Sequence, residues 1–341
     1  MLTPTALAPS LPLSHDAIQQ CLSQAYGLHK VRAESLPPGA NAHSAAFRID
    51  ADDRAAYFLQ LQPEGLPQPV FAVPAFLHND QGIDAVMAPL PTTGGALSVR
   101  ADGFDWALYP FFEGGNGFQR ALTDTQWRAL GKAVGAIHRT ELPEALSASL
   151  PKERYAHKAR EGVRRYQRRF INGVTGDDIV MRFFAFWEDR AEEIDTVVYR
   201  SEQLASILLE RPPRLVPCHG DLHAGNVLVG DDGRLAIVDW RALVLAPKER
   251  DLMFIGGSPV WNTPAQAALF YEGYGATDID AVALAHYRYE RITQDVLACC
   301  DLMFDAAASA QDREEGLRQL QRQFAPNDVV AIAHQSYEAV T

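Results

Sequence analysis

The sequence predicts an α+β chain in two unequal parts, a strand-rich N-terminal part and a larger, mainly helical C-terminal part. Three observations carry that expectation. Short apolar runs broken by turn clusters dominate to about residue 107, and helix-spaced apolar stripes dominate beyond about residue 119. Between them Phe111-Phe112-Glu113-Gly114-Gly115-Asn116-Gly117 interrupts both patterns. The length, 341 residues, suits two domains or lobes, each large enough for a core of its own.

The elements follow in order. Ser14 is a helix N-cap, with Ile18, Cys21, Leu22 and Tyr26 at helical spacing until Gly27 stops the pattern. Phe47 and Ile49 alternate before Asp50-Ala51-Asp52-Asp53, and Tyr57-Phe58-Leu59 resumes, which is a hairpin signal. Upstream, Pro37 to Asn41 form a small-residue loop. Further strands are expected at Ala85–Ala88 and Trp106–Tyr109. The three prolines in Pro63 to Pro69 disfavour helix there, so the next helix is expected to start near Val70. Beyond the break, Thr123 and Gln126 form a capping box ahead of Trp127, Leu130, Val134 and Ile137. Lys152 to Arg169 reads as a basic, solvated helix face with Tyr155, Val163 and Tyr166 turned inward, and Met181 to Leu209 is helical.

Composition narrows the class. Lys and Arg number 31 against 43 Asp and Glu, a net charge of −12, which argues against nucleic-acid or anionic-membrane partners. The N-terminal stretch Met1 to Leu13 lacks the basic start and apolar core of a signal peptide. Nowhere do about 18 apolar residues run together, so no membrane span is expected. Cys21, Cys218, Cys299 and Cys300 have no metal-ligand spacing and read as reduced thiols of a cytoplasmic protein, expected as a monomer or weak dimer.

The chemistry lies in residues 214–240, RLVPCHGDLHAGNVLVGDDGRLAIVDW. Val227-Leu228-Val229 and Leu235 to Val238 flank Gly230-Asp231-Asp232-Gly233, a hairpin with a polar group at each exit. Asp221, Asn226 and Asp239 supply what phosphoryl transfer needs. One carboxylate takes the proton of an attacking hydroxyl; an amide and a second carboxylate hold Mg²⁺ on the phosphates.

This string, His219-Gly220-Asp221-x-His223-x-x-Asn226 then a hairpin then Asp239-Trp240, resembles the catalytic loop and metal motif of the aminoglycoside phosphotransferase family, nearest to its spectinomycin-directed members. The likeness extends to Tyr109-Pro110-Phe111, Asn116-Gly117-Phe118, Leu130-Gly131-Lys132, Ala246 to Gly257, Phe270 to Gly275 and Tyr287 to Ile292. It covers most of residues 15–335 and is strongest from 105 to 292. It implies a bilobal protein-kinase-like fold, with an antiparallel nucleotide-binding lobe at 1–107, a hinge at 108–118 and a helical lobe with the substrate cleft at 119–341. By the same resemblance Asp221 is the catalytic aspartate, Asn226 and Asp239 bind Mg²⁺, and His219 braces the catalytic loop. The hinge strand through Tyr109 and Phe111 is implied to bind a purine, with Leu228 or Ile237 lining its pocket. Asp251 is implied to anchor the loop after the metal site, or else to touch substrate.

Two departures stand out. The resemblance puts Gln60 where a phosphate-binding lysine belongs, and only Glu64 is near as a partner. Gln60 offers a hydrogen bond without charge, so triphosphate binding is expected to weaken. The loop Gly39 to Ser44 offers backbone N–H groups and the Ser44 hydroxyl as phosphate contacts. After the metal aspartate stands Arg241, which would repel a cationic acceptor unless it faces solvent or pairs with Glu249. Glu290, Asp295 and Asp301 remain candidate substrate carboxylates, with Glu290 and Asp301 on one helix face and Asp295 off it.

The expected activity is Mg²⁺-dependent transfer of a γ-phosphate from ATP or GTP to a hydroxyl of an aminocyclitol or aminoglycoside-like acceptor, spectinomycin foremost. The alternative is a kinase-like protein with impaired or altered catalysis that binds nucleotide or ligand, or uses another donor or transfers another group.

Overall fold

Strand pairing in the N-terminal part follows from the alternation of its side chains. The computed structural model describes residues 14–36, 44–52, 55–258, 260–261 and 263–340. The N-terminal stretch Met1 to Leu13 and the Pro37–Asn41 loop, Gly39 included, lie outside these. The elements run α1 (His15–Tyr26), β1 (Arg32–Ser35), β2 (Ala45–Asp50), β3 (Ala56–Pro63), α2 (Pro69–Asn79), β4 (Val99–Ala101) and β5 (Phe104–Pro110). They form a five-stranded antiparallel sheet in the order β1-β2-β3-β5-β4. Because side chains alternate, Leu59, Leu61, Trp106 and Leu108 point to one face, where they bury with Ile18 and Leu22 of α1. Phe58, Gln60 and Gln62 therefore share the opposite face. The Ser14 hydroxyl accepts from the Ala17 amide at 3.1 Å to start α1, and Gly27 ends it at φ 69°.

The remainder comprises β6 (Gly114–Asn116), α3 (Asp124–Arg139), α4 (Glu144–Ser147), α5 (Lys158–Phe170), α6 (Asp178–Asp189), α7 (Ala191–Glu210), β7 (Val216–Cys218), β8 (Val227–Gly230) and β9 (Leu235–Ile237). They are followed by β10 (Val244–Ala246), α8 (Glu249–Leu252), α9 (Pro264–Tyr274), α10 (Ala281–Met303), α11 (Ala310–Gln323) and α12 (Val329–Glu338). The β8–β9 hairpin gains β6 as a third strand. Thr123 and Gln126 close the expected capping box of α3. The helix α3 lies against α9 so closely that a Cβ on Gly131 would stand 1.9 Å from the Phe270 carbonyl oxygen. A second core gathers Val163, Phe183, Trp187, Val197, Tyr289 and Val296 from α5, α6, α7 and α10. Among the described residues no helix is long and apolar enough to cross a membrane.

Three expectations need correction. Ala85–Ala88 is no strand of the N-terminal sheet; it makes one parallel bridge, Val86 to Ile237, and Met87 N donates to Ile237 O at 3.0 Å. Pro89 and Pro91 lack the N–H groups that would extend a ladder. The basic helix begins at Lys158 rather than Lys152, since Tyr155 sits at φ 51°, outside helical space. The stretch from Met181 is two helices that meet at Arg190.

Candidate active site

The loop from Cys218 to Asn226 is held from behind by Asp251. That carboxylate is 1% exposed and accepts from the amides of His219 at 2.8 Å and Gly220 at 2.7 Å. It also accepts from His138 Nε2 at 3.0 Å, while His138 Nδ1 meets Tyr274 Oη at 2.9 Å. Burial works against the charge of Asp251, but the His138 bond and the loop amides outweigh it and hold the carboxyl below its usual range. Asp251 thus holds the loop with both carboxylate oxygens engaged. Gly220 is required at this crossing, with φ 83° and space for a Cβ only 2.1 Å from the Ala242 carbonyl oxygen.

His219 has both ring nitrogens engaged within the loop. Nε2 donates to Val238 O at 2.8 Å, and Nδ1 accepts the Asp221 amide at 3.3 Å. Both contacts brace the loop, and each ring nitrogen is engaged within it. Asn226 donates from Nδ2 to Asp221 O at 2.8 Å, which leaves its amide oxygen as a ligand atom. Asp239 adopts the left-handed conformation, φ 66° and ψ 69°, which aspartate tolerates better than most residues. Burial would raise its carboxyl, but two Arg241 hydrogen bonds and the Arg241 charge hold it low and ionised. An amide oxygen and an ionised carboxylate are hard donors of the kind Mg²⁺ takes, so the pair fits that ion.

Asp221 faces both ways. Its Oδ1 accepts from Arg291 Nη1 at 2.7 Å, and its Oδ2 lies 3.5 Å from His223 Nε2. His223 Nδ1 accepts the Gly225 amide at 2.8 Å, so Nε2 carries the proton and is a buried atom without a hydrogen-bond partner. Burial pushes the His223 imidazole down to about 4. Arg291 was not foreseen; it reaches Asp221 from α10 and also pairs with Asp295 at 3.3 Å. The available signal was a basic residue between buried Tyr289 and Ile292.

A cavity of about 300 Å³ lies between the sheet and the β8–β9 hairpin. It brings together Gln60, Tyr109, Phe111, Leu228, Asp239 and Arg241, with Phe58, Val70, Met87 and Val238 as apolar walls. Ile237 is not part of that lining; it is fully buried in the core, and Val238 takes its place. Ser44, buried just before β2, also stands outside the lining. The Phe111 amide is committed to Ala56 O at 3.1 Å. As the three prolines suggested, α2 begins beside Val70, and Glu64 pairs instead with Arg100 at 3.3 Å.

The other candidate residues divide. Arg241, partly exposed, does not meet Glu249; it grips Asp239 with Nε and Nη2, each at 2.5 Å. Glu249 pairs with Lys248 at 2.8 Å. Glu290 is taken by Ser201 at 2.8 Å and Arg160 at 3.4 Å, and Asp301 accepts the Tyr166 hydroxyl at 2.9 Å. Each is thus engaged on one side, while both line an open cavity that Arg241 also borders. Asp295 lies off their face, bonded to Gln323 at 3.1 Å, beside a small cavity of about 90 Å³ that Arg291 and His223 also line. The open cavity at Arg241, of about 580 Å³, is also lined by Glu153, Lys158 and Gln294.

Comparison with known proteins agrees with this architecture. The fold matches spectinomycin phosphotransferase in complex with ADP and spectinomycin, with a TM-score of 0.88 and 33% identity over 95% of this chain and 99% of that one. An AMP-bound complex of spectinomycin phosphotransferase matches with a TM-score of 0.83 at the same identity and coverage. Among curated relatives, aminoglycoside 3'-phosphotransferase of Streptomyces fradiae is 37% identical over 98 residues, 25% of this chain and 35% of that protein. The chain thus spans about a third of the length of the curated relatives it matches. The model of the phosphotransferase enzyme family matches residues 35–285. With its kinase-like mixed fold, the chain belongs to this family of phosphotransferase enzymes.

Proposed function

We propose that the chain is a Mg²⁺-dependent small-molecule O-phosphotransferase that moves the γ-phosphate of ATP or GTP to an acceptor hydroxyl, with spectinomycin the leading acceptor. The observation that carries this reading is the state of Asp221. Arg291 fixes one carboxylate oxygen at 2.7 Å, and the other oxygen faces His223 across 3.5 Å, too far for a hydrogen bond. That second oxygen is therefore positioned to take the acceptor's proton as its hydroxyl oxygen bonds to the γ-phosphorus. The bond from phosphorus to the β–γ bridging oxygen breaks, and the nucleoside diphosphate leaves. His223 Nε2–H, buried and unpartnered, is placed to donate to the acceptor oxygen and so orient it.

Asn226 and Asp239 would hold Mg²⁺, which when bound offsets the charge of the phosphates. Tyr109, Phe111 and Leu228, with the apolar walls of the cavity, would receive the purine. The choice of spectinomycin rests on the similarity to an enzyme solved with ADP and that compound. Gln60 favours a second reading, a kinase-like protein with impaired or altered catalysis. A panel of aminocyclitols and aminoglycosides, each with Mg²⁺ and ATP or GTP, separates the two. Acceptor-dependent release of nucleoside diphosphate, with a phosphorylated acceptor by mass spectrometry, is the expected result. Nucleotide binding without any acceptor-dependent turnover would favour the second reading.

A further inference from the structure

The β3 strand carries two glutamines, Gln60 and Gln62, on the face that looks into the cleft, and no cation. Two positions along a strand are about 7 Å apart. Arg241, from the short 3-10 turn after Asp239, reaches that same face: its Nη1 donates to Gln62 Oε1 at 3.4 Å. Its Nε and Nη2 meet the two Asp239 oxygens. Among the described residues lining the cleft, Arg241 is the one cation and Asp239 the one anion. Arg241 also lines the larger open cavity, so one side chain borders both.

We propose that Arg241 supplies, from the far side of the cleft, the phosphate-binding positive charge that β3 lacks at Gln60. A guanidinium has five N–H donors; Asp239 and Gln62 occupy three, which leaves two for phosphate oxygens. The bidentate grip of Asp239 sets the plane of the fork before any ligand arrives, so little side-chain freedom is lost on binding. A lysine at position 60 would bring a second cation into the same cleft. A neutral Gln60 leaves Arg241 as the one cation among the described residues that line the cleft.

The inference rests on the cleft being a nucleotide site, and calorimetry with Mg²⁺ present tests the two separately. ATP and adenosine are each titrated into the wild type, Arg241→Gln, Gln60→Lys and the double variant. Loss of charge-assisted bonds should weaken ATP binding by Arg241→Gln about 10- to 100-fold, with adenosine unchanged. In that background Gln60→Lys should recover at least about tenfold, whereas in the wild type it should gain no more than about twofold. ATP bound equally or more tightly by Arg241→Gln would overturn the inference, the latter showing a guanidinium that merely plugs the Asp239 site. Adenosine weakened as much as ATP would overturn it too, by showing loss of cleft shape, and so would a double variant no tighter than Arg241→Gln. A wild type that binds neither ligand would overturn the nucleotide reading and the inference together.

Discussion

Replacing Asp251 by Asn keeps the volume of the side chain and removes what the loop needs from it. Oδ2 now accepts from both the His219 amide and His138, while Oδ1 accepts from the Gly220 amide. An amide has one oxygen. Placed at the Oδ2 position, it keeps two bonds without charge assistance and turns an NH₂ group toward the Gly220 N–H. A buried donor left unsatisfied costs about 1–3 kcal/mol, and the loss of charge on two bonds adds roughly another 1–2 kcal/mol. Asp251→Asn should therefore be about 2–5 kcal/mol less stable in urea unfolding followed by circular dichroism. Because the bonds hold the segment that carries Asp221, turnover should fall even under conditions where the variant is fully folded. A variant within about 0.5 kcal/mol of the wild type, a change ordinary for surface substitutions, would refute the anchoring role.

Two further outcomes follow from buried groups. Burial lowers the His286 imidazole from 6.5 to about 3, so the unfolded chain binds the extra proton first as pH falls. The stability it guards is fully present above about pH 6.5 and declines as pH drops from there toward the folded value. Between about pH 7 and pH 5 the loss from this group should be about 2 kcal/mol, and His286→Gln should flatten the profile; an unchanged slope would contradict it. Gly131→Ala should destabilise the protein by about 1–3 kcal/mol in chemical denaturation, although alanine is the better helix former, because its methyl would strike the Phe270 carbonyl. Equal or greater stability would show that α3 and α9 separate freely.

What could be read from sequence was local. The Ser14 and Thr123 caps, the β2–β3 hairpin and the run from His219 to Asp239 depend on residues a few positions apart, and the elements they predict are present. The edge strands β1 and β4 carry no such signal because they are short and hold no buried residue, so no apolar alternation marks them. Arg291 meets Asp221 across 70 positions of sequence, a contact decided by how α10 packs. Charge along a chain does not give direction, so the sequence alone does not show that Arg241 turns to Asp239. The left-handed turn at Asp239 accompanies the grip of Arg241 on that aspartate and its reach to Gln62. Glu290 likewise pairs with Ser201 and Arg160 from distant helices, contacts that no local pattern in the sequence announces.

The central claim is that Asp221 takes the acceptor's proton while other groups bind the nucleotide. Its most direct test is transfer of labelled γ-phosphate from ATP to spectinomycin by the wild type and by Asp221→Asn, with ATP affinity measured on the same samples. The account predicts transfer by the wild type, a loss of about 100-fold or more in the variant, and ATP affinity within a few fold of the wild type. An Asp221→Asn variant that transfers phosphate at the wild-type rate would contradict it.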